Sequence, residues 1–124
     1  MEKNIMIVDD EPTILFSVKE LLAAEGFNVH TALNGEECLG MLQKGFKGII
    51  LVDIMMPVMD GYAAIEQIRK NPDFQTIPIL ALTAKAMKGD REKCISIGAN
   101  DYLSKPVEKD QLLALIQEWI NWNG

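Results

Sequence analysis

Cysteine is scarce in this sequence, and its placement suggests neither a disulfide framework nor a zinc site. Cys38 and Cys94 stand far apart without a C-x-x-C spacing, and both fall inside patterns that predict helices. Cysteines of this kind are more often buried, reduced thiols than disulfide partners or metal ligands. The first residues do not resemble a signal peptide, and no apolar run approaches the ~20 residues that a membrane span needs. These features predict a cytoplasmic protein that does not act at a membrane.

Basic residues are also fewer than acidic ones. The chain has 12 Lys and Arg residues against 18 Asp and Glu residues, a net charge of −6, and no cluster of basic side chains. Because phosphate backbones are bound by concentrated positive charge, we expect no direct contact with nucleic acid. The phosphate-binding patterns G-x-x-x-x-G-K and G-x-G-x-x-G are missing as well, which argues against a nucleotide site.

The chain is long enough for one domain with a sizeable core, since 48% of its 124 residues are hydrophobic. We therefore expect a single domain over residues 1–124. Short apolar runs that predict strands alternate with segments whose apolar residues recur every three or four positions, as in helices. The predicted strands cover residues 5–8, 27–32, 48–52, 79–82 and 102–103. This alternation predicts an α/β fold: a five-stranded parallel sheet with five helices on both faces, for which we adopt the flavodoxin-like order 2-1-3-4-5.

Capping residues and glycines mark the predicted helix ends. The first helix is expected to begin at Pro12 and to end before Gly26, and the second to follow Asn34 and to end before Gly45. Asp60 is expected to cap the third. The apolar positions predicted to face inward from the first helix are Ile14, Val18, Leu21 and Leu22, and those from the last are Leu112, Leu115, Ile116, Trp119 and Ile120.

The fourth predicted helix, over residues 88–97, differs from the others. It contains Gly89 and few strongly apolar positions. Because such a helix buries little apolar surface, we expect it to be loosely anchored and mobile.

Polar or charged residues follow four of the predicted strands. Asp9 and Asp10 follow the first, Asp53 the third, Thr83 the fourth and Lys105 the fifth. The carboxyl ends of parallel strands open on the same edge of a sheet, where α/β proteins bind their ligands. The sequence therefore predicts that three carboxylates, a hydroxyl and an ammonium meet at this edge.

Three neighbouring carboxylates repel one another, so that either one of them keeps its proton or the group recruits a cation. Mg²⁺ suits such a shallow site, because it prefers oxygen ligands and usually takes one or two protein carboxylates together with water and phosphate oxygens. A simpler interpretation is that Asp10 or Glu11 caps the first helix, that Thr83 is a turn residue and that Lys105 is a solvated surface charge. Capping alone does not account for Asp53 at a separate strand end.

Four segments together resemble the receiver domains of two-component response regulators. They are Val8-Asp9-Asp10-Glu11, the run from Asp53 to Gly61 (DIMMPVMDG), Leu82-Thr83-Ala84, and the run from Gly98 to Pro106 (GANDYLSKP). Each segment is weak evidence by itself, but all four occur in order, and the resemblance spans nearly the whole chain.

The resemblance implies that Asp53 accepts a phosphoryl group from a phosphohistidine on a sensor histidine kinase or a histidine phosphotransfer protein. It also implies that Asp10, Asp53 and the backbone carbonyl of Met55 bind Mg²⁺, with Asp9 acting through water, while Lys105 offsets the charge on the phosphoryl oxygens. Self-catalysed phosphotransfer and slow self-hydrolysis would be its only chemistry, so we do not expect an enzyme.

A conformational switch is also implied by the resemblance. Thr83 would move toward the phosphoryl group and Tyr102 would swing inward, which would remodel the face of the fourth helix, fifth strand and fifth helix for a downstream protein target. The Lys105-Pro106 bond would be cis by the same resemblance. Tyr102 can also be read as a half-buried strand aromatic with no switching role.

Several alternatives stay open at this point. The domain can be a docking module that is never phosphorylated, or, less well supported, an aspartate-dependent phosphatase, for which the second acid two residues after Asp53 is missing. It can be a stand-alone receiver or a part of a larger protein. A monomer or weak dimer is expected, because the last helix lacks the Arg of one known dimer mode. Trp122 is either a partner contact or partly buried.

Overall fold

The computed structural model describes residues 3–54, 61–83, 90–105 and 107–120, apart from the side chain of Asp90. The strands are β1 (Asn4–Val8), β2 (Asn28–Ala32), β3 (Ile49–Asp53), β4 (Ile79–Thr83) and β5 (Asp101–Ser104). The α-helices are α1 (Pro12–Ala24), α2 (Gly35–Gln43), α3 (Gly61–Lys70), α4 (Asp90–Ser96) and α5 (Lys109–Ile120), and a 3₁₀ turn covers Pro72–Phe74.

All four strand pairings are parallel, and the strand order is 2-1-3-4-5. The predicted α/β fold and its strand order are therefore confirmed. In this order β1 and β3 are neighbours in the middle of the sheet, and β4 lies on the other side of β3. The carboxyl ends of β1, β3, β4 and β5 are thereby brought side by side.

The helix ends follow the predicted capping chemistry. Pro12 occupies the first turn of α1, where its missing N–H costs nothing. The side chain of Asn34 accepts a hydrogen bond from the Glu37 amide at the start of α2. Gly26 and Gly45 follow α1 and α2 with φ of +91° and +106°, a left-handed conformation that favours glycine.

The central strands are buried on both faces, as parallel sheets require. One hydrophobic cluster packs α2, α3 and α4 against one face of the sheet, and a second packs α1 and α5 against the other. In α1, the prediction that Ile14, Val18, Leu21 and Leu22 face inward is confirmed, although it left out Leu15. Leu15 is buried with Val18 and Leu22, whereas Ile14 and Leu21 are only partly covered.

Within the described residues, helix α4 has the weakest apolar anchorage of the α-helices. Among its described side chains only Cys94 is buried, while Arg91, Lys93 and Ile95 are exposed. The sparse packing predicted for this helix is confirmed, and its mobility stays a prediction. In the described part of the chain, no helix combines the length and apolarity that crossing a membrane would require.

Candidate functional site

The backbone of the sheet continues one residue beyond three of its strands. The Asp9 amide donates to the Ala32 carbonyl at 3.1 Å, and the Ile54 amide donates to the Leu82 carbonyl at 2.8 Å. The Lys105 amide donates to the carbonyl of Thr83 at 2.6 Å. Because these bonds extend the strand ladders, the residues at the strand ends are held by the same framework as the core.

Three carboxylates lie together at this edge, as the sequence predicted. Oxygen atoms of Asp9, Asp10 and Asp53 all lie within 4.8 Å of one another. Asp9 is fully buried, Asp53 is 3% exposed, and Asp10 is half-buried. Asp53 is the last residue of β3 rather than the first residue after it, so the strand itself fixes its position.

Lys105 supplies the positive charge of the site. Its Nζ lies 3.0 Å from Oδ2 of Asp9 and 3.3 Å from Oδ2 of Asp53, and its side chain is only 14% exposed. Burial lowers the pKa of Lys105, but the hydrogen bond to Asp9 and the charges of Asp53 and Asp9 outweigh burial, so the pKa is raised overall. Lys105 is therefore an ammonium that two buried carboxylates hold in place, and not a solvated surface charge.

The local hydrogen bonds also test the capping interpretation. The Glu11 side chain makes no capping bond to α1. Oδ1 of Asp9 accepts the Glu11 amide at 3.0 Å, and Oδ2 accepts Lys105. Asp9 thus shapes the turn into α1 and contributes to the charged cluster at the same time.

Thr83 and Tyr102 occupy neighbouring strands next to the acids. Thr83 is the last residue of β4, one position beyond Leu82, which pairs with Asp53 in the sheet. It is 4% exposed. Tyr102, on β5, pairs with Ala81 on β4 and is partly buried against the cluster that includes Cys94. The structure therefore places Thr83 beside the acids and Tyr102 two residues earlier along the sheet.

One close contact at the acidic site was not predicted from the sequence. A Cβ atom added to Gly61 would lie 2.5 Å from the Asp53 carbonyl oxygen and 2.6 Å from Cα of Ile54. The Gly61 amide donates to the Ile54 carbonyl at 3.0 Å. The first residue of α3 therefore packs directly on the backbone of Asp53, and the glycine in the Asp60-Gly61 pair was the available signal.

Some predicted features lie outside the described residues. They are the Met55 carbonyl, the Asp60 cap, the Pro106 peptide bond, Trp122 and the first two residues of the predicted fourth helix, Lys88 and Gly89.

The donor set fits a hard divalent cation. It consists of carboxylate oxygens close enough to share one ion, and three carboxylates with one ammonium carry a net charge of −3 + 1 = −2. A dication would bring this sum to zero. Oxygen-only donors are typical of Mg²⁺, and the set contains no soft ligand.

The response regulator receiver domain family matches residues 5–117 of this chain. The probable transcriptional regulator ycf29 of Porphyra purpurea is 39% identical over 120 residues, which cover 97% of this chain and 57% of that regulator. The chain likewise spans about half the length of other curated relatives.

Solved structures agree with this result. The receiver domain of the sensor histidine kinase PA1611 from Pseudomonas aeruginosa, which has a magnesium ion in its active-site cleft, is 34% identical with a TM-score of 0.89, over 98% of this chain and 100% of that one. A chain in the co-crystal structure of the Saccharomyces cerevisiae phosphotransfer protein Ypd1 with the receiver domain of Ssk1 is 31% identical with a TM-score of 0.84, over 96% and 89%. This chain therefore belongs to the receiver domains of two-component response regulators.

Proposed function

We propose that Asp53 is the phosphoacceptor and that the donor is a phosphohistidine. The observation that carries this proposal is the position of Asp53 at the end of the central strand β3, within 3.3 Å of Lys105 and within 4.8 Å of the other two acids. A carboxylate placed among a cation and further metal-binding oxygens can receive a phosphoryl group without a separate catalytic base.

The surroundings of the three acids favour Asp53 over the other two. Asp9 is fully buried, and its two oxygens accept the Glu11 amide and the Lys105 ammonium. Asp10 is half-buried, and none of the described ion pairs of Lys105 involves it. Asp53 is slightly more exposed than Asp9, at 3%, and unlike Asp10 it has the Lys105 cation beside it.

In the proposed transfer, a carboxylate oxygen of Asp53 attacks the phosphorus atom, and an O–P bond forms. The P–N bond to the donor imidazole breaks, and the imidazole leaves with the electron pair and takes up a proton from solvent. Lys105 lies where its ammonium can offset negative charge on the phosphoryl oxygens. Its two carboxylate contacts hold it there before the donor arrives, so little reorganisation is needed.

Asp10 and Asp53 would hold Mg²⁺ directly, with Asp9 acting through water and the Met55 carbonyl as a further ligand. When bound, the ion would neutralise the acids and the phosphoryl oxygens. The magnesium ion in the PA1611 receiver domain supports this assignment. Without a cation, the carboxylates would repel an incoming phosphoryl group.

A sensor histidine kinase or a histidine phosphotransfer protein is the proposed partner. The Ypd1–Ssk1 complex and the receiver domain of a sensor histidine kinase among similar structures support it. A donor must cover the surface around Asp53 to reach it. A mostly apolar hollow of about 340 Å³ lies next to the site, lined by Ile14, Leu21, Val107 and Lys105 itself, among others. We propose that the donor contacts this hollow.

Phosphorylation turns one negative charge on Asp53 into about two and adds strong acceptor oxygens. Thr83, on the neighbouring strand, is the proposed donor to them. We propose that its movement allows Tyr102 to turn inward and changes the surface of α4, β5 and α5, to which a downstream protein binds. The sparse packing of α4 supports this, because a small free-energy difference can then shift its position.

We propose further that the receiver occupies residues 1–124 as one domain, acts as a monomer or weak dimer, and contacts neither nucleic acid nor membrane itself. The buried thiols Cys38 and Cys94 suit a reducing compartment such as the cytoplasm. Its chemistry would be limited to its own phosphorylation and self-hydrolysis, so it would not act as an enzyme on other substrates.

The decisive experiment is incubation with Mg²⁺ and a small acyl-phosphate donor, followed by intact-mass measurement. One phosphoryl adduct, stable to acid and labile to base, is expected on the wild-type chain and not on Asp53→Asn. Glu66→Gln, which removes an exposed carboxylate on α3, should form the adduct normally. An adduct that persists in Asp53→Asn would refute the acceptor, and no adduct on the wild-type chain would favour a docking module that is never phosphorylated.

A further inference from the structure

Arg69, at the end of α3, joins three parts of the chain at the end of the sheet opposite the acidic site. Its Nε donates to the Gly98 carbonyl at 2.8 Å, and its Nη2 donates to Oδ1 of Asn100 at 2.8 Å. Its Nη1 donates to the carbonyls of Phe74 at 2.9 Å and Gln75 at 3.2 Å. One guanidinium thus ties α3 to the 3₁₀ turn and to the turn between α4 and β5.

The partners of this cation are all neutral. Among the described residues no carboxylate pairs with Arg69, and partial burial lowers the pKa of its guanidinium. Backbone carbonyls and one amide oxygen therefore replace the water that the charge gives up. Hydrogen bonds to a charged donor are stronger than neutral ones, so these contacts are a firm attachment.

The turn that Arg69 binds is itself closely fitted. Gly98 has a φ of +123°, and a Cβ atom there would lie 2.6 Å from Cγ of Arg69. Oδ1 of Asn100 also accepts the amide of Ile79, and the Asn100 amide donates to the Ile79 carbonyl at 2.7 Å. The turn from Gly98 to Asn100 is therefore bonded both to α3 and to the first residue of β4.

The described part of α4 is held less firmly toward its other end. Arg91 lies 3.9 Å from Asp101 and is 62% exposed, so this ion pair contributes little. Lys93 sits over the ring of Tyr62 on α3, with its Nζ 4.2 Å from the ring centroid. Among the described contacts of α4, those at its carboxyl end are therefore the stronger ones.

We propose that Arg69 makes the Gly98–Asn100 turn the fixed end of α4, so that α4 moves by pivoting at this turn and its opposite end is displaced most. The pivot operates in the unphosphorylated chain as well as in the switch. Its role in the switch rests on the proposed function, whereas its existence does not. Arg69 is a positioning residue in this arrangement, far from any reacting atom.

Hydrogen exchange of backbone amides, resolved by residue, tests the pivot directly. In the unphosphorylated wild-type chain, the Ala99 and Asn100 amides, which donate to Cys94 and Ile79, should exchange on the order of tenfold more slowly than the α4 amides. Arg69→Met should remove most of this difference. Arg91→Met, the same substitution on α4, should keep it. If Arg69→Met is too unstable, Arg69→Lys retains the charge without the planar fork and should show a smaller loss.

A second arm uses the phosphorylated chain, with the adduct measured by mass on the same samples. The exchange change on phosphorylation should stay within α4 in the wild type and spread into residues 98–100 in Arg69→Lys. The pivot is refuted if Asn100 exchanges as fast as α4 in the unphosphorylated wild type, or if Arg69→Met and Arg91→Met behave alike. Failure of the adduct to form would count against Asp53 chemistry, while the unphosphorylated comparison would still decide on the pivot.

Discussion

The ammonium of Lys105 lies 3.0 Å from Oδ2 of Asp9, across 96 residues of sequence. The same ammonium lies 3.3 Å from Asp53, so one cation is shared by two buried carboxylates. Without it, two negative charges would be left in a nearly water-free environment. This arrangement makes the charge balance of the site part of the stability of the fold.

Replacing Lys105 by Met should destabilise the chain in the absence of divalent cations. Loss of one partner leaves buried charges uncompensated, and we expect a cost of about 2–4 kcal/mol in the free energy of unfolding. Urea titration without Mg²⁺ would measure it. Lys109→Met is the matched control, because Lys109 pairs with Glu25 at the surface and its loss should cost less than about 1 kcal/mol. Equal costs for the two variants would contradict the shared-cation arrangement.

Asp10→Asn should have the opposite effect on the metal-free chain. Removing one of three mutually repelling carboxylates should raise the free energy of unfolding by up to about 1 kcal/mol and abolish most of the stabilisation that Mg²⁺ gives the wild type. Thermal unfolding with and without Mg²⁺ would show both effects. Glu66→Gln removes an exposed charge elsewhere and should leave the Mg²⁺ effect intact. A Mg²⁺ effect of wild-type size in Asp10→Asn would rule out Asp10 as a ligand.

Gly61→Ala should disturb the site and the fold together. The added methyl group would press on the carbonyl of Asp53 and on Ile54, and we expect a loss of about 1–3 kcal/mol with slower phosphorylation by a small acyl phosphate. At Gly40, inside α2, an added Cβ meets nothing within 4 Å. Gly40→Ala should therefore stabilise the chain by about 0.5–1 kcal/mol and leave phosphorylation unchanged. If the two substitutions change stability and phosphorylation rate alike, the close contact of Gly61 with Asp53 and Ile54 supports neither.

The buried thiol of Cys38 should make the free energy of unfolding fall at alkaline pH. Burial raises its pKa from 9.0 to about 12. The folded chain then keeps a proton that the unfolded chain has lost, so the stabilisation is complete below about pH 9 and disappears as pH rises toward 12. Urea titrations at successive pH values should show wild-type stability falling across this range by up to about 1.4 kcal/mol per pH unit. Cys38→Ala should be less stable at pH 7 and should lose stability less steeply; parallel curves would contradict the prediction.

The location of the acids could be predicted because strand order decides which chain segments meet. Asp9 follows β1 and Asp53 ends β3, and these strands are neighbours in the order 2-1-3-4-5 but not in the other common doubly wound order, 3-2-1-4-5-6. The first order was adopted from similar folds and not worked out from the residues. Once that order is given, polar residues at strand ends must converge. The contact of Lys105 with both Asp9 and Asp53 needed the structure, because a long flexible side chain can reach several partners.

The role of Arg69 could not be predicted for a different reason. Three of its four acceptors are backbone carbonyls, which every residue carries and which leave no mark in a sequence. Ile14 and Leu15 show a related limit. Both are apolar neighbours on α1, and a helical periodicity cannot decide which of two adjacent residues faces the sheet until the axis of the helix is fixed.

The hydrogen bonds that carry the strand ladders past Asp9, Ile54 and Lys105 have a kinetic meaning. Because this edge is hydrogen-bonded to the central sheet, we expect it not to unfold locally. The arrangement of the acids and the lysine should be lost only when the entire domain unfolds. An arriving phosphodonor then finds them already in register. The rate of the transfer would then depend on how the donor docks on the surface around the site. Substitutions on that surface could change the choice of partner without changing the acidic site itself.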